Sequence, residues 1–310
     1  MVRQVEDEPI VPEVSVVLIV RNGAATIRRQ LDALSIQDSA APFEVVVVDN
    51  GSTDATAKIV GEWQDEIKAL PIATSLVSAH DKAGIPYARN RGIQKARGRV
   101  IAFCDADDTV RPEWVRAFSG LAHGVAGGHV LASRPDGTPA HHTFPDGLTE
   151  TGYLPHAGGC NMAMVREDVV SVGGFDESLP SYGCDDVDIS WRMQEAGFPI
   201  SYFPDAIVDY NLTPRSGAVR KTFQTGIARM AIALRYPKST HGNPPKFADL
   251  TAHSVKEVVL LPGRLLRPRG VPRARVVRAA VTAAGRATGY WVYGFRDVPP
   301  HYGVAQRPSY

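Results

Sequence analysis

The sequence predicts an α/β fold, with a mostly parallel central sheet flanked by helices and a mainly helical C-terminal appendage. Short apolar runs rich in β-branched residues recur along the chain, each followed by a turn and then by helical spacing. That alternation marks βαβ units. The runs are too short for buried helices, and strands covered on both faces read as unbroken apolar stretches. After about residue 211 the composition changes, as acidic residues nearly vanish and arginines accumulate.

Residues 1–13 read as a polar, Pro-containing leader. Val14 to Val20 (VSVVLIV) is the first predicted strand, ended by Asn22-Gly23, and Ile27, Leu31 and Leu34 then recur at helical spacing. Glu44 to Asp49 (EVVVVD) is the next strand, followed by NGSTD and a helix from about Ala55 to Glu66. A helix starting near Tyr87 is closed by Gly98, and the strand Arg99 to Cys104 runs straight into Asp105-Ala106-Asp107-Asp108. Pro112 suits the first turn of a further helix through about Leu121. Residues 123–158, rich in Gly, Pro and His, predict loops and short strands, and NMAMV is a short apolar segment. Asp185 to Ala196 predicts a helix closed by Gly197, followed by two short strands, Ile200 to Phe203 and Ile207 to Tyr210. The predicted organisation is a leader (1–13), an α/β domain (14–215) and a basic, mainly helical region (216–310).

The 310 residues carry 34 Lys+Arg against 33 Asp+Glu, with 44% hydrophobic and 22% charged residues. This is a globular composition and excludes a disordered or collagen-like chain. Three cysteines are too few for a disulfide framework, which predicts a reducing compartment. The acidic start lacks a signal-peptide pattern, and no apolar run reaches the roughly 18 residues of a transmembrane helix. A soluble, cytoplasmic protein is therefore expected. The net charge of +1 conceals an asymmetry: −13 over residues 1–210 and +14 over residues 211–310.

In open α/β sheets, ligands bind beyond the carboxyl ends of the strands. Arg21-Asn22, Asp49-Asn50 and Asp105-Ala106-Asp107-Asp108 follow three of the predicted strands and should gather along one edge. Two carboxylates one residue apart can face a hard cation such as Mg²⁺ or Mn²⁺; the plainer reading is a solvated acidic turn. A P-loop and a GxGxxG after the first strand are both absent, which disfavours kinase-like NTPases and dinucleotide binders. Asp185, Asp186 and Asp188 sit at a predicted helix start, where the macrodipole favours negative charge. Capping accounts for one or two of them, and the remainder offers a general base for an acceptor hydroxyl.

The series VSVVLIVRN, EVVVVDNGSTDAT, ARNRGIQKARGRVIAFCDADD, GGCNMAMVRED, VGGFDE and CDDVDISWRMQEAGF resembles the inverting family 2 glycosyltransferases of GT-A fold over residues 14–210. The resemblance implies a hexosyl- or N-acetylhexosaminyltransferase with a nucleotide-diphospho-sugar donor, UDP- or dTDP-linked, and a divalent metal, Mg²⁺ or Mn²⁺. Transfer would go with inversion to a glycan, lipid-linked or small-molecule acceptor. Carried over by position, Asp107 ligates the metal, and Asp105, with Ala106 between them, contacts ribose or joins the metal. Val20, Arg21 and Asn22 fall at the donor nucleotide, and Asp49-Asn50 where the family reads the base. Asn50 stands where many members have a second Asp, and Arg21 where an aromatic often stacks. Arg89 would lie beside base or phosphates, and Asn161 along the donor sugar. Asp186 is the implied general base with Asp185 beside it, and Trp191 and Arg192 lie on the acceptor side. Many members carry a histidine after the segment matching PDAIVDYNL. Here either Asp209 substitutes as a ligand, or water and phosphates complete the sphere.

Cys104 and Cys160 read as buried small hydrophobes, and Cys184 lacks a histidine partner at catalytic spacing. His141-His142 reads as loop before metal site. From Val258 to Arg296 there are eight arginines and no acidic residue. That pattern suits peripheral contact with an anionic membrane at its inner face, packing on the acidic body, or binding of a phosphate-bearing group, and it disfavours nucleic acid. The rival functions are a nucleotidyltransferase, which would want a Gly-rich N-terminal signature, and a catalytically weak sugar-nucleotide-binding subunit.

Overall fold

The computed structural model describes residues 11–133, 138, 148–150, 152–211, 218–240 and 273–304. Most of the predicted leader, His141-His142 and residues 258–272 lie outside them. The strands are β1 (Val14–Val20), β2 (Phe43–Asp49), β3 (Ala73–Ser78), β4 (Val100–Asp105), β5 (Thr109–Val110), β6 (Val125–Ser133), β7 (Leu148–Glu150), β8 (Pro155–Ala157), β9 (Asn161–Val165) and β10 (Ile200–Asn211). The helices are α1 (Ile27–Ser35), α2 (Thr56–Glu66), α3 (Ile85–Lys95), α4 (Trp114–Ser119), α5 (Arg166–Ser171), α6 (Asp185–Glu195), α7 (Ala218–Arg235) and α8 (Arg273–Gly289). The main sheet runs β3-β2-β1-β4-β9-β6-β10-β5; β1 to β4 are mutually parallel, and β9 runs antiparallel between β4 and β6.

The unbroken apolar runs have a direct cause. Val14, Val16 and Leu18 of β1 face one core with Ile27, Leu31, Leu34 and Trp63 from α1 and α2. Val17 faces a second core with Ala88 and Ile93 of α3. Both faces of the strand are covered, so polar alternation is absent.

Several elements differ from the sequence expectation, including the unforeseen β5 and α5 and three longer strands. β3 (ATSLVS) was not predicted, because an edge strand needs no apolar run and this one is largely half-exposed. β6 is a single nine-residue strand where loops and short strands were expected. Its Gly128 allows close approach: a Cβ there would collide with the Ala206 carbonyl and the Asn161 amide. The two short strands expected between residues 200 and 210 are one strand, β10, whose register slips between Phe203 and Ile207 around Pro204.

The change of composition near residue 215 is not a packing boundary. Tyr236 of the segment after α7 donates to Asp188 of α6 at 2.9 Å, and Arg235 pairs with Asp176. After α8 and a π-helical turn (Tyr290–Phe295), the chain returns to the body. There Tyr302 bridges Asp176, its ring lies 4.3 Å from the Arg192 guanidinium, and Val304 enters the core of α3. Among the described residues, no helix is long and apolar enough to cross a membrane.

α7 and α8 meet through glycines. Gly226 faces Gly285, and a Cβ at Gly285 would collide with the Phe223 carbonyl oxygen. Gly285→Val should therefore cost about 1–3 kcal/mol by overpacking. Thermal unfolding would show this as a lowered Tm; an unchanged Tm would mean that the two helices do not pack this way.

Candidate active site

The carboxyl ends of β1, β2 and β4 open into one cleft of about 600 Å³. Val20, Arg21, Asn22, Asn50, Asp105, Ala106 and Asp107 line it, while Asp49 and Asp108 lie behind the wall. Tyr182, Arg220, Lys221 and Gln224 close the other side.

The turn after β1 is stitched to the turn after β2. Asn22 takes a left-handed backbone (φ 53°), which asparagine tolerates. Its Oδ1 accepts the Thr53 N–H at 2.8 Å, and its own N–H donates to Ser52 Oγ at 2.9 Å. Asp49 is buried; its Oδ1 accepts the Ser52 N–H at 2.8 Å, and its Oδ2 faces His80 Nε2 at 3.3 Å. Asn50 donates to the Ala79 and Lys82 carbonyls at 2.7 and 2.8 Å and accepts the Gly84 N–H at 2.9 Å. Its amide thus shapes the 79–84 loop.

Beyond β4, ligand oxygens of Asp105, Asp107 and Asp108 all lie within 4.8 Å of one another. Asp108 is fully buried. Its Oδ1 accepts the Asn211 N–H at 2.8 Å, while its Oδ2 has no hydrogen-bond partner. Burial pushes the Asp105 carboxyl up to about 7 and the Asp108 carboxyl up to about 9, and the neighbouring carboxylates add to both shifts. Crowded carboxylates with an orphaned buried oxygen are what a divalent cation satisfies, so these residues fit a hard metal. Asp209, the substitute ligand offered by sequence, is instead turned to Arg111 in an exposed ion pair at 3.1 Å. Asp108 occupies the third place. The acidic run already contained it, but sequence could not show that its side chain folds back beside Asp105.

The second group of carboxylates begins α6. Gly183 and Cys184 both have positive φ (101° and 60°), and this turn aims Asp185 and Asp186 differently. Asp185 is buried and accepts from Arg89 Nη1 at 2.5 Å, while Arg89 Nη2 donates to the Gly159 carbonyl at 2.8 Å. The guanidinium packs against the rings of Phe103 and Phe175 at 5.7 and 5.3 Å. Burial pushes Asp185 up to about 6, and Arg89 opposes the shift. Asp186 is half-buried; its Oδ2 accepts the Gly159 N–H at 3.0 Å, and its Oδ1 accepts the Val187 N–H at 2.9 Å. The two carboxylate groups are near each other. Tyr182, pushed up to about 12 by burial, feels Asp105, Asp186, Asp185 and Asp107 together.

Four residues expected at the ligand are held by the protein instead. Arg89 gives its two terminal nitrogens to Asp185 and Gly159, and its buried Nε has no hydrogen-bond partner. Asn161 is 1% exposed, accepting from Trp114 Nε1 at 2.8 Å and donating to the His129 and Ala206 carbonyls. Trp191 is 1% exposed, packed on Tyr153 and Tyr236, with its Nε1–H on the Leu154 carbonyl. Arg192 pairs with Asp188 at 2.9 Å and donates to the Val172 and Gly174 carbonyls. Asn161, Trp191 and Arg192 are thus held by the fold and their polar groups satisfied there, as burial requires. Cys104 and Cys160 are buried free thiols, as expected. Tyr182, Arg220, Lys221 and Gln224 were not singled out by sequence, since only the fold brings α7 to the strand ends.

The family model "Glycosyl transferase family 2" matches residues 15–150, and "N-terminal domain of galactosyltransferase" matches residues 149–215. Glycosyltransferase AglE of Haloferax volcanii is 30% identical over 234 residues, covering 71% of this chain and 74% of that protein. The pre-mycofactocin glycosyltransferase of Mycobacterium tuberculosis is 31% identical over 252 residues; the match covers 74% of this chain but only 49% of that relative. The mannosyltransferase PcManGT of Pyrobaculum calidifontis, solved with GDP-Man and Mn²⁺, superposes with a TM-score of 0.61 at 20% identity, over 91% of this chain and 88% of that one. S. aureus TarS 1–349 with UDP-GlcNAc gives a TM-score of 0.54 at 15% identity, over 91% and 92%. With sequence likeness along the parallel sheet and a GT-A architecture beneath it, the chain belongs to glycosyl transferase family 2 and is a glycosyltransferase.

Proposed function

We propose that this chain is an inverting transferase that moves a sugar from a nucleotide-diphospho-sugar to an acceptor hydroxyl, with Asp186 as general base. The observation that carries this is the arrangement of carboxylates: a crowded set at the end of β4 and a separate one at the start of α6, both acting on Tyr182. Of the α6 pair, Asp185 is committed to Arg89, while Asp186 is half-buried and holds only backbone N–H groups. Asp186 Oδ would take the acceptor proton as the acceptor oxygen attacks the anomeric carbon and the bond to the diphosphate breaks. Asp105, Asp107 and Asp108 would hold Mg²⁺ or Mn²⁺, which when bound neutralises charge on the leaving diphosphate. A UDP- or dTDP-sugar is the proposed donor, since Asn50 Oδ1 keeps one lone pair beside the Gly84 N–H for an imide. The acceptor class follows from the same reading: a glycan, a lipid-linked intermediate or a small molecule.

Peripheral contact with an anionic membrane through residues 258–296 belongs to the same proposal. Trp291 and Phe295 are 59% and 55% exposed, the latter followed directly by the exposed Arg296, and Arg278 is exposed earlier on α8. The chain should co-sediment with phosphatidylserine-containing vesicles at low salt and release at high salt; no binding at low salt removes this contact.

Asp186→Asn should lower transfer by at least about 10²-fold while donor binding, read by thermal shift, survives. Near-wild-type turnover in that variant would remove Asp186 from its role.

The raised carboxyls make metal binding pH-dependent. A cation must displace protons held up to about 7 on Asp105 and about 9 on Asp108. Without a cation the sign is the reverse. Both groups lose their proton at 3.8 when unfolded, so the stability they contribute is lost as pH rises through about 7 and about 9. The Tm gain on adding Mn²⁺ should therefore grow from pH 6 to pH 8; a pH-independent gain would contradict the three-carboxylate site.

A further inference from the structure

We propose that the first turn of α7 forms the wall that grips the donor diphosphate, with Lys221 and Arg220 facing the strand-end carboxylates across the cleft. This deepens the donor-site reading above and rests on it. α7 lies beyond both family-matched segments, which end at residues 150 and 215. Nothing in those segments assigns it a role.

The argument begins with charge. Three carboxylates crowd the β4 end, and a divalent cation offsets only two of their charges. An incoming diphosphate adds more negative charge, so cations must come from another wall. Arg89, expected beside the phosphates, is not available: Asp185, Gly159 and two aromatic rings enclose it. Among the described residues, the cations that line the cleft are Arg21 after β1 and Arg220 and Lys221 on α7. Lys221 Nζ lies 5.2 Å from the Tyr182 ring centroid, and its charge reaches Asp105. Arg220 is exposed at the rim, where a flexible guanidinium can close on a ligand without first leaving a buried partner.

The wall is also held in position. Ser181 Oγ donates to Gln224 Oε1 at 3.2 Å, which ties α7 to the loop that leads into α6. At the far end of α7, Arg235 pairs with Asp176, and in the middle Gly226 seats against α8. The helix thus presents its first turn from a fixed base. Placing the cations there puts them on the same cleft as the metal carboxylates Asp105 and Asp107.

The test titrates the full chain, with Mn²⁺ present, with inorganic pyrophosphate and with UDP, dTDP and GDP. Lys221→Gln and Arg220→Ala should each weaken Mn²⁺-pyrophosphate binding by about tenfold, as loss of one charged hydrogen bond implies. The double variant should weaken it further and flatten its salt dependence. Lys221→Arg should keep most of the affinity. Arg229→Ala removes an exposed α7 cation that does not line the cleft, and should leave the affinity unchanged. Far-ultraviolet circular dichroism matching wild type confirms that each variant is folded. A folded double variant with wild-type affinity overturns the clamp, as does an equal loss in Arg229→Ala, which would reflect diffuse attraction. If wild type binds neither pyrophosphate nor any of the nucleotides, the donor-site reading falls as well, and the clamp with it.

Discussion

Arg89 and Asp185 form the buried ion pair on which the geometry of the cleft depends. It joins α3 to the first residue of α6 and, through the Gly159 carbonyl, to the loop before β9. The Gly159 N–H then meets Asp186, so one residue links Arg89, the partner of Asp185, to Asp186. Burying two charges is costly, and such pairs contribute little net stability compared with apolar packing. Losing one partner is different, because the other is stranded; that typically costs about 3–5 kcal/mol. The pair is better understood as a device that sets where Asp186 stands than as glue. The rings of Phe103 and Phe175 enclose it and keep water from loosening the contact.

A second constraint is the division of charge along the chain. The acidic excess of residues 1–210 is not spread evenly. Part of it is concentrated in the metal-fitting cluster after β4 and in the start of α6. Part of the basic excess after residue 211 answers it locally, as Arg235 does with Asp176. Other cations face the cleft, and others remain exposed around α8 with Trp291 and Phe295. The near-zero net charge therefore reflects internal complementarity, not an absence of charged partners.

Residues that strand-end position or the family resemblance marked as ligand-binding divided into two groups. Arg21, Asn22, Asn50, Asp105 and Asp107 do line the cleft, because they sit at strand ends and the parallel sheet brings strand ends together. Asn161, Trp191 and Arg192 do not project into it. Each lies inside a strand or helix, where neighbours from distant parts of the chain claim its polar atoms. A motif match registers such a residue but cannot say whether substrate or scaffold uses its hydrogen bonds. Asp108 illustrates the converse: its place beside Asp105 arises because Asn211, at the end of β10, holds its other oxygen.

The β-branched runs, their turns and the helix signals made the parallel sheet and its carboxylate-bearing edge readable from composition and spacing. Those features are local, since a strand covered on both faces must be apolar throughout. The edge strand β3, the glycine-bearing β6 and the bulge of β10 were not readable, because their form depends on what lies beside them. The same holds for the cleft's far wall. Lys221 and Arg220 are ordinary basic residues in a basic region, and only the packing of α7 against the loop before α6 turns them toward the carboxylates. Local sequence sets which chemistry is present; contacts between segments far apart in the chain set which of those groups meet.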